Sequence, residues 1–175
     1  MIGSSYPFKH LLKVASVPRT GQNVVLKASA EVLEKIALDI GIPSLSRLEA
    51  HFLVVPSRNG SVSVKGRVSA DLEQLCVVSM EPFQAQVLEI VDLRYLDEEK
   101  LSMPTKQEVE RTLEDEDPPE PLVGGVIDLG ALAVEFVAMA LDPFPRKPDA
   151  MLAVADESEK PQSPFAVLAA LKKSV

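Results

Sequence analysis

A strict alternation of apolar and polar residues runs from Val62 to Glu73. The even-numbered positions are apolar or glycine and the odd-numbered positions are polar or charged, which is typical of a strand with one buried face. Asn59-Gly60 precedes this stretch and is a strong signal for a hairpin turn. We therefore expect a core built on an antiparallel sheet, with Gly66 as a candidate for a bend or a bulge in the long strand.

Further strands are predicted on both sides of this one. Residues 45–55 alternate in the same way. Residues 83–96 alternate at first and then become apolar on both faces, so we expect something to cover the second face. Three sequential strands joined by short turns predict an antiparallel meander. Upstream, residues 6–14 are expected to form an edge strand and residues 19–24 a loop.

Two helices are predicted from their caps and apolar stripes. Ser29 is a suitable N-cap and Gly41 a suitable C-terminal stop for a first helix, whose apolar residues recur at helical spacing. Asp128 is the expected N-cap of a second helix, in which Glu135 is the one charged residue. Because almost the whole surface of this second helix is apolar, we expect it to be buried against the sheet.

The C-terminal residues predict an arm that ends in a short helix. Ser163 and Pro164 are typical of a helix start, and Phe165, Leu168 and Leu171 form a small apolar stripe. Docking of this stripe on the core and binding of the stripe to a partner both remain open at this point.

The negative charge of the chain is concentrated in one segment. The net charge is -8, and residues 97–121 hold ten of the 26 acidic residues and only three basic ones. Such a run is typical of a solvated loop, which we expect to span residues 97–124. The alternative is an acidic arm that imitates nucleic acid or docks on a basic protein.

Several classes of function are disfavoured by what the chain lacks. A single cysteine excludes an internal disulfide, and the two histidines have no metal-ligand neighbours at helical spacing, so no metal and no other cofactor are expected. Serine-hydrolase and phosphate-loop motifs are missing from the sequence. With no run of 18 apolar residues and no secretory signal, a cytoplasmic protein without a membrane or small-molecule partner is expected.

Three blocks of sequence together resemble a known family. They are GRVSADLEQLCVVSMEPF from Gly66, IDLGALAVEFVAMALDPFPRKP from Ile127, and SPFAVLAALKK from Ser163. Their order and spacing resemble the YceD family, the large ribosomal RNA subunit accumulation proteins, and look most like its alphaproteobacterial branch over residues 45–172. The resemblance implies a role in 23S rRNA accumulation and large-subunit biogenesis, without an established enzymatic activity.

One position departs from the family pattern. Many relatives carry C-x-x-C at the turn between two strands, often with a second cysteine pair downstream. Here the first position is Cys76, the fourth is Ser79, and no later cysteine follows. We therefore expect Cys76 to be a small core or turn residue, and the turn to be held by hydrogen bonds from Ser79 and by Pro82.

The sequence as a whole predicts an α+β fold, a curved antiparallel sheet or open barrel covered by helices, in one domain over residues 1–145 with an arm over 146–175. The expected function is that of a non-enzymatic factor that binds precursor 23S rRNA or a large-subunit protein. The alternative is a protein–protein adaptor that uses the acidic loop and the terminal helix without touching RNA. The candidate binding residues are the basic pairs and the family blocks: Lys65, Arg67, Gln74, Cys76, Glu81, Pro82, Phe83, Asp128, Glu135, Asp142, Pro143, Pro145, Arg146 and Lys147.

Overall fold

The computed structural model describes residues 6–101 and 118–151. Most of the acidic segment and the predicted terminal helix lie outside these residues. The elements in chain order are β1 (Leu11–Lys13), a 3-10 turn (Val14–Ser16), β2 (Gln22–Lys27), α1 (Ala30–Ile40), β3 (Ser44–Pro56), β4 (Val62–Leu75), β5 (Pro82–Asp97), α2 (Glu98–Leu101), β6 (Glu120–Leu122), β7 (Val126–Asp128) and α3 (Leu129–Ala140).

The predicted meander forms the centre of a five-stranded sheet in the order β2-β3-β4-β5-β6. Strands β2 to β5 pair antiparallel, whereas β6 pairs parallel with Tyr95–Asp97 at the end of β5. The α+β class is confirmed. The sheet is mixed rather than purely antiparallel, and it is not closed, because β2 and β6 form its two edges.

The long alternation does bury one face of β4. Val62, Val64, Val68, Ala70 and Leu72 are all fully buried in the core. Burial of this many branched apolar side chains is the main favourable contribution to folding.

The structure requires a glycine at position 66 of β4, but not because of the predicted bulge. Gly66 pairs regularly with Phe52, and the irregularity between β3 and β4 lies instead between Leu45 and Arg47. A Cβ atom on Gly66 would lie 2.0 Å from the carbonyl oxygen of His51. The bulge prediction is therefore wrong at this residue, and glycine is needed because two backbones approach closely.

The loop predicted over residues 19–24 is also wrong in part, because β2 begins at Gln22 and pairs with β3. Val24 and Leu26 are buried and alternate with exposed residues. The period-2 signal is thus present, but it covers only six residues. Such a short alternation becomes a strand through its pairing with β3.

The first predicted edge strand is shorter than expected. Within residues 6–14 only Leu11–Lys13 form a strand, and this strand pairs with β7 in a separate two-stranded sheet. The predicted acidic loop is corrected at both ends, where α2 follows β5 and β6 lies at Glu120–Leu122.

Helix α1 begins and ends at the predicted residues, although the Ser29 side chain makes no hydrogen bond to the first turn of the helix. Ser29 occupies the N-cap position, and Gly41 ends the helix in the left-handed conformation at φ 72°. Leu33, Ile36 and Ala37 are buried, and the helix packs on β3.

Helix α3 begins at the predicted cap and forms part of the core. The Asp128 carboxylate accepts hydrogen bonds from the backbone N–H groups of Gly130 and Ala131. Seven residues of α3, including Leu129 and Val137, are buried, and the helix packs against β4 and β5. The prediction of an apolar helix lying on the sheet is confirmed.

The second face of β5 differs from the prediction. Leu88 and Ile90 remain 66% and 71% exposed, so nothing in the described part of the chain buries them. None of the described helices is long and apolar enough to cross a membrane.

Candidate functional site

Two segments far apart in sequence meet at one end of the sheet. The first is the β4–β5 turn, residues 74–83, and the second is the loop after α3, residues 142–147; we call them together the junction. The backbone N–H of Val77 donates to the Pro145 carbonyl at 2.9 Å. The Gln74 side-chain amide donates to the Asp142 carbonyl at 3.1 Å. These bonds hold the loop on the turn.

A salt bridge adds a third connection across the junction. The Lys147 ammonium lies 3.1 Å from a carboxylate oxygen of Glu81. Both side chains are substantially exposed, so this pair adds little stability but positions the loop. Cys76 and Glu81 close the turn itself, because the N–H of Cys76 donates to the Glu81 carbonyl at 2.9 Å.

Cys76 lies at the centre of the junction and is fully buried. Its sulfur accepts backbone N–H groups from Val78, Ser79 and Lys147, each at 3.4 Å. Hydrogen bonds from the Ser79 side chain and backbone, and then from the backbone of Lys147 and Val78, together lower the pKa of the Cys76 thiol to about 6 against the opposing effect of burial. The expectation that Cys76 is a buried turn residue is confirmed, and the Ser79 N–H contributes a hydrogen bond that holds the turn. The part expected of Pro82 in holding the turn stays a prediction.

The residues around Cys76 do not fit a zinc ion. A structural zinc site needs four ligands, usually thiolates or imidazoles. Cys76 is the one cysteine of the chain, and a serine stands at position 79. Among residues 6–101 and 118–151, no group of three or more His, Cys, Asp or Glu side chains could hold a metal. The sulfur already has three N–H donors, two of them from its own turn.

The junction presents apolar side chains to solvent. Leu75, Val77, Met80 and Phe144 are all exposed, and we call these four side chains the junction patch. Met80 and Phe144 are the most prominent, at 67% and 71% exposure.

The backbone of Met80 is strained. It adopts φ 58°, the one non-glycine residue in the described chain with a positive φ. That conformation costs about 1–2 kcal/mol for an L-residue. The Met80 N–H donates to the Cys76 carbonyl at 2.9 Å, so the closure of the turn compensates for the strain. Residues held in such conformations cluster at functional sites.

Ten of the fourteen candidate binding residues belong to the junction. Cys76 is buried, whereas Gln74, Phe83 and Pro145 are half-buried. The remaining six are exposed: Glu81, Pro82, Asp142, Pro143, Arg146 and Lys147. Sequence reasoning did not single out Leu75, Val77, Met80 or Phe144, although the first three are apolar residues inside or beside a predicted turn.

Asp128 and Glu135 lie away from the junction on α3. Asp128 is at the start of the helix, about 18 Å from the end that leads into the junction, and its carboxylate also accepts the N–H of His10 at 2.9 Å. Glu135 is on the exposed side of the helix. Desolvation raises the pKa of the Glu135 carboxyl, and repulsion from Asp128 and Glu120 raises it further.

Lys65 and Arg67 lie on the outer face of the sheet, apart from the junction. The Lys65 ammonium pairs with Asp92 at 2.8 Å. Arg67 stands in register between His51 and Ile90, beside a depression of about 420 Å³ that Val25 also lines. This face carries exposed apolar side chains that were not predicted to be exposed, and we call them the outer patch: Val25, Leu53, Leu88 and Ile90.

A comparison with protein families identifies the group to which the chain is related. The family model described as Large ribosomal RNA subunit accumulation protein YceD matches residues 64–172, which is 109 of the 175 residues. The chain belongs to the YceD family. The resemblance seen in the sequence is thus confirmed, and the YceD match includes both segments of the junction. Comparisons with curated proteins and with solved structures found no match.

Proposed function

We propose that this YceD-family protein is a non-enzymatic factor that supports 23S rRNA accumulation and large-subunit biogenesis by docking a large-subunit protein on the junction patch. The family description supports the link to large-subunit rRNA. The observation that carries the docking step is the exposure of Met80 and Phe144 on a turn fastened to the loop after α3. Such a role also fits the cytoplasmic location expected from the sequence.

The chemistry of the junction favours a protein partner over RNA. Exposed methionine and aromatic side chains are enriched where proteins bind proteins. Phosphate binding requires unpaired cations, and at the junction Lys147 is already paired with Glu81. Arg146 is the exposed base that is left to contact an acidic group at the rim.

The buried position of Cys76 supports docking rather than catalysis. A thiolate acts as a nucleophile only where a substrate can reach it. The Cys76 sulfur is enclosed by N–H donors and has no exposed surface. The hydrogen bonds to this sulfur instead hold the turn and the loop together, and so position Met80.

Contact with precursor 23S rRNA is the second candidate, and one observation favours it. No ion pair holds the Arg67 guanidinium within the described ranges, and it stands on an open sheet face near Lys65. An unpaired guanidinium can bind phosphate or stack on a base. Salt-dependent binding of 23S rRNA fragments that Arg67→Ala weakens would favour this candidate over the junction.

The test is complementation of cells depleted of the protein. Depletion is expected to lower the ratio of 23S to 16S rRNA, and the wild-type chain to restore it. The double variant Met80→Asp/Phe144→Asp should fail to restore the ratio, because it places charge in the apolar patch without disturbing the core. The matched control is Leu88→Asp/Ile90→Asp, which makes the same change at two equally exposed residues of the outer patch and should restore the ratio.

Three outcomes would contradict the proposal. A normal 23S to 16S ratio after depletion would remove the rRNA role. Full restoration by the Met80→Asp/Phe144→Asp variant would remove the junction as the docking surface. Loss of a co-purified protein partner after nuclease treatment would show that RNA, and not the junction, holds that partner.

A further inference from the structure

We propose that β2 pairs with β2 of a second copy of the chain, so that two molecules form a dimer through one continuous sheet. This inference goes beyond the proposed function and does not rest on it. The strand involved, Gln22–Lys27, also precedes the YceD match, which begins at residue 64.

The outer side of β2 carries open hydrogen-bonding groups. All six residues of β2 pair with β3, and the ladder continues with a bond from the Ala28 N–H to the Leu48 carbonyl. Hydrogen-bonded and non-hydrogen-bonded pairs alternate in an antiparallel ladder. Asn23, Val25 and Lys27 therefore direct their N–H and C=O groups away from β3. Among residues 6–101 and 118–151, no other backbone group bonds to these three residues.

The edge formed by β2 lacks the features that keep edge strands from pairing. Proteins protect sheet edges with proline, bulges, charged residues or very short strands. The opposite edge, β6, is protected in this way, because it has three residues that include Glu120 and Pro121. In contrast, β2 has no proline and no bulge, and its one charged residue is Lys27. Val25 is 54% exposed at the middle of this edge.

The residues of β2 are complementary to themselves in the antiparallel register centred on Val25. This register places Val25 opposite the partner's Val25, and Asn23 opposite the partner's Lys27, so it uses all three open residues. Each such pair exchanges two hydrogen bonds, which gives about six across the twofold axis. No like charges face each other in the strands, and the two exposed Val25 side chains contact each other on the outer face of the sheet.

The end of the sheet where β2 begins carries unpaired positive charge. Arg19 lies in a turn that the Gly21 N–H closes on the Pro18 carbonyl at 2.9 Å, and Arg58 lies in the β3–β4 turn at the same end. Both arginines are exposed, and no ion pair holds either of them in the described chain. Residues 6–30 and 50–70 contain no acidic residue. The acidic residues after β5 at this end lie three strands away from β2, at a distance of about 14 Å.

The end of the sheet where β2 finishes carries unpaired negative charge instead. Glu34 on α1 is exposed and has no ion-pair partner among the residues that the structure describes, and Asp39 farther along α1 is also exposed. The remaining charged residues at this end are held in ion pairs: Lys27, Glu31, Lys35, Arg47, Glu49 and Asp71. An antiparallel dimer brings Arg19 of each copy to the end that carries the partner's Glu34. Opposite charges at the rim of an interface steer association and fix its register.

The test is the oligomeric state of the full-length protein, free of nucleic acid, in sedimentation velocity. Because a contact between six-residue strands is small, the wild type should pass from monomer to dimer as its concentration rises through the micromolar range. Val25→Pro removes the outward N–H and should remain monomeric. Proline is tolerated at an edge position whose N–H faces solvent, so β2 should still pair with β3. The matched control, Val25→Thr, keeps the N–H and the branched shape and should dimerise.

An exchange of charges tests the same arrangement without proline. Arg19→Glu and Glu34→Arg each turn two contacts per dimer from attractive to repulsive, and each should raise the dissociation constant about tenfold. The double variant Arg19→Glu/Glu34→Arg again places opposite charges across the axis and should return the dissociation constant to that of the wild type. Both residues are exposed, so all three variants should fold as the wild type does.

A wild-type protein that sediments as a monomer at every concentration would overturn the inference. Dimerisation of a folded Val25→Pro variant at the wild-type concentration would show that another surface holds the copies together. A double variant that stays as weak as the single variants would show that the two ends do not meet as proposed. Since these measurements involve neither RNA nor a large-subunit protein, their outcome and that of the 23S to 16S ratio can fail separately.

Discussion

Replacing Asp128 with alanine is expected to lower the free energy of unfolding by about 3 kcal/mol. One oxygen of this carboxylate accepts three backbone N–H groups, from His10 at 2.9 Å, Gly130 at 3.1 Å and Ala131 at 3.2 Å. Loss of an N-cap costs about 1 kcal/mol, and a hydrogen bond to a charged acceptor is worth about 2 kcal/mol. The bond to His10 also fastens β1 to the start of α3.

Urea unfolding of the full-length protein, followed by circular dichroism, measures this loss. For a slope of about 2 kcal/mol per molar urea, the midpoint should fall by about 1.5 M. Asp128→Asn keeps an acceptor oxygen in place and should cost less than half as much. Asp149→Ala removes an exposed carboxylate from the loop after α3, and should stay within about 0.5 kcal/mol of the wild type.

The reasoning would be refuted if Asp128→Ala unfolded at the wild-type urea concentration, or if asparagine were as harmful as alanine. The same variants separate a structural role from a binding role. Because asparagine preserves the cap, Asp128→Asn should restore the 23S to 16S ratio in depleted cells. Failure of this folded variant to do so would show that the carboxylate itself contacts a partner.

Two further substitutions follow from the geometry. Gly66→Ala places a Cβ atom 2.0 Å from the His51 carbonyl oxygen, and should lower stability in thermal unfolding by about 3 kcal/mol. Gly41→Ala, where a Cβ would meet no atom within 4 Å, should cost only the strain of its positive φ, about 1 kcal/mol. Equal losses of stability for the two variants would show that the close backbone approach at Gly66 does not cause its loss. Cys76 should titrate near pH 6 in thiolate absorbance at 240 nm, because hydrogen bonding from Ser79 lowers its pKa to about 6 from 9.0. The stabilisation that the hydrogen-bonded Cys76 thiolate provides should therefore be fully present above pH 9, decline as the pH falls toward 6, and be lost below that pH. The Cys76→Ser variant should lack this pH-dependent change in stability. A thiol that titrates near pH 9 in the folded chain would exclude this account.

The local signals in the sequence determined the long strands and both long helices. The alternation of apolar and polar residues in β4 identified which of its side chains are buried, since side chains in a strand alternate strictly between the two faces. The caps at Gly41 and Asp128 likewise act within a few residues of themselves, so they could be recognised without knowledge of the fold.

Only the tertiary structure decided what depends on contacts between distant residues. The six residues of β2 became a strand because β3 lies beside them, and Leu88 and Ile90 stayed exposed because no described element packs on that face. The junction depends on bonds between residues about 70 positions apart, such as that from Lys147 to the Cys76 sulfur. Spacing along a chain cannot specify such a contact, because it is created by the path that α3 takes across the sheet. The sequence therefore determined the three long strands, the two long helices and the family, and the packing of α3 decided which side chains form the candidate site.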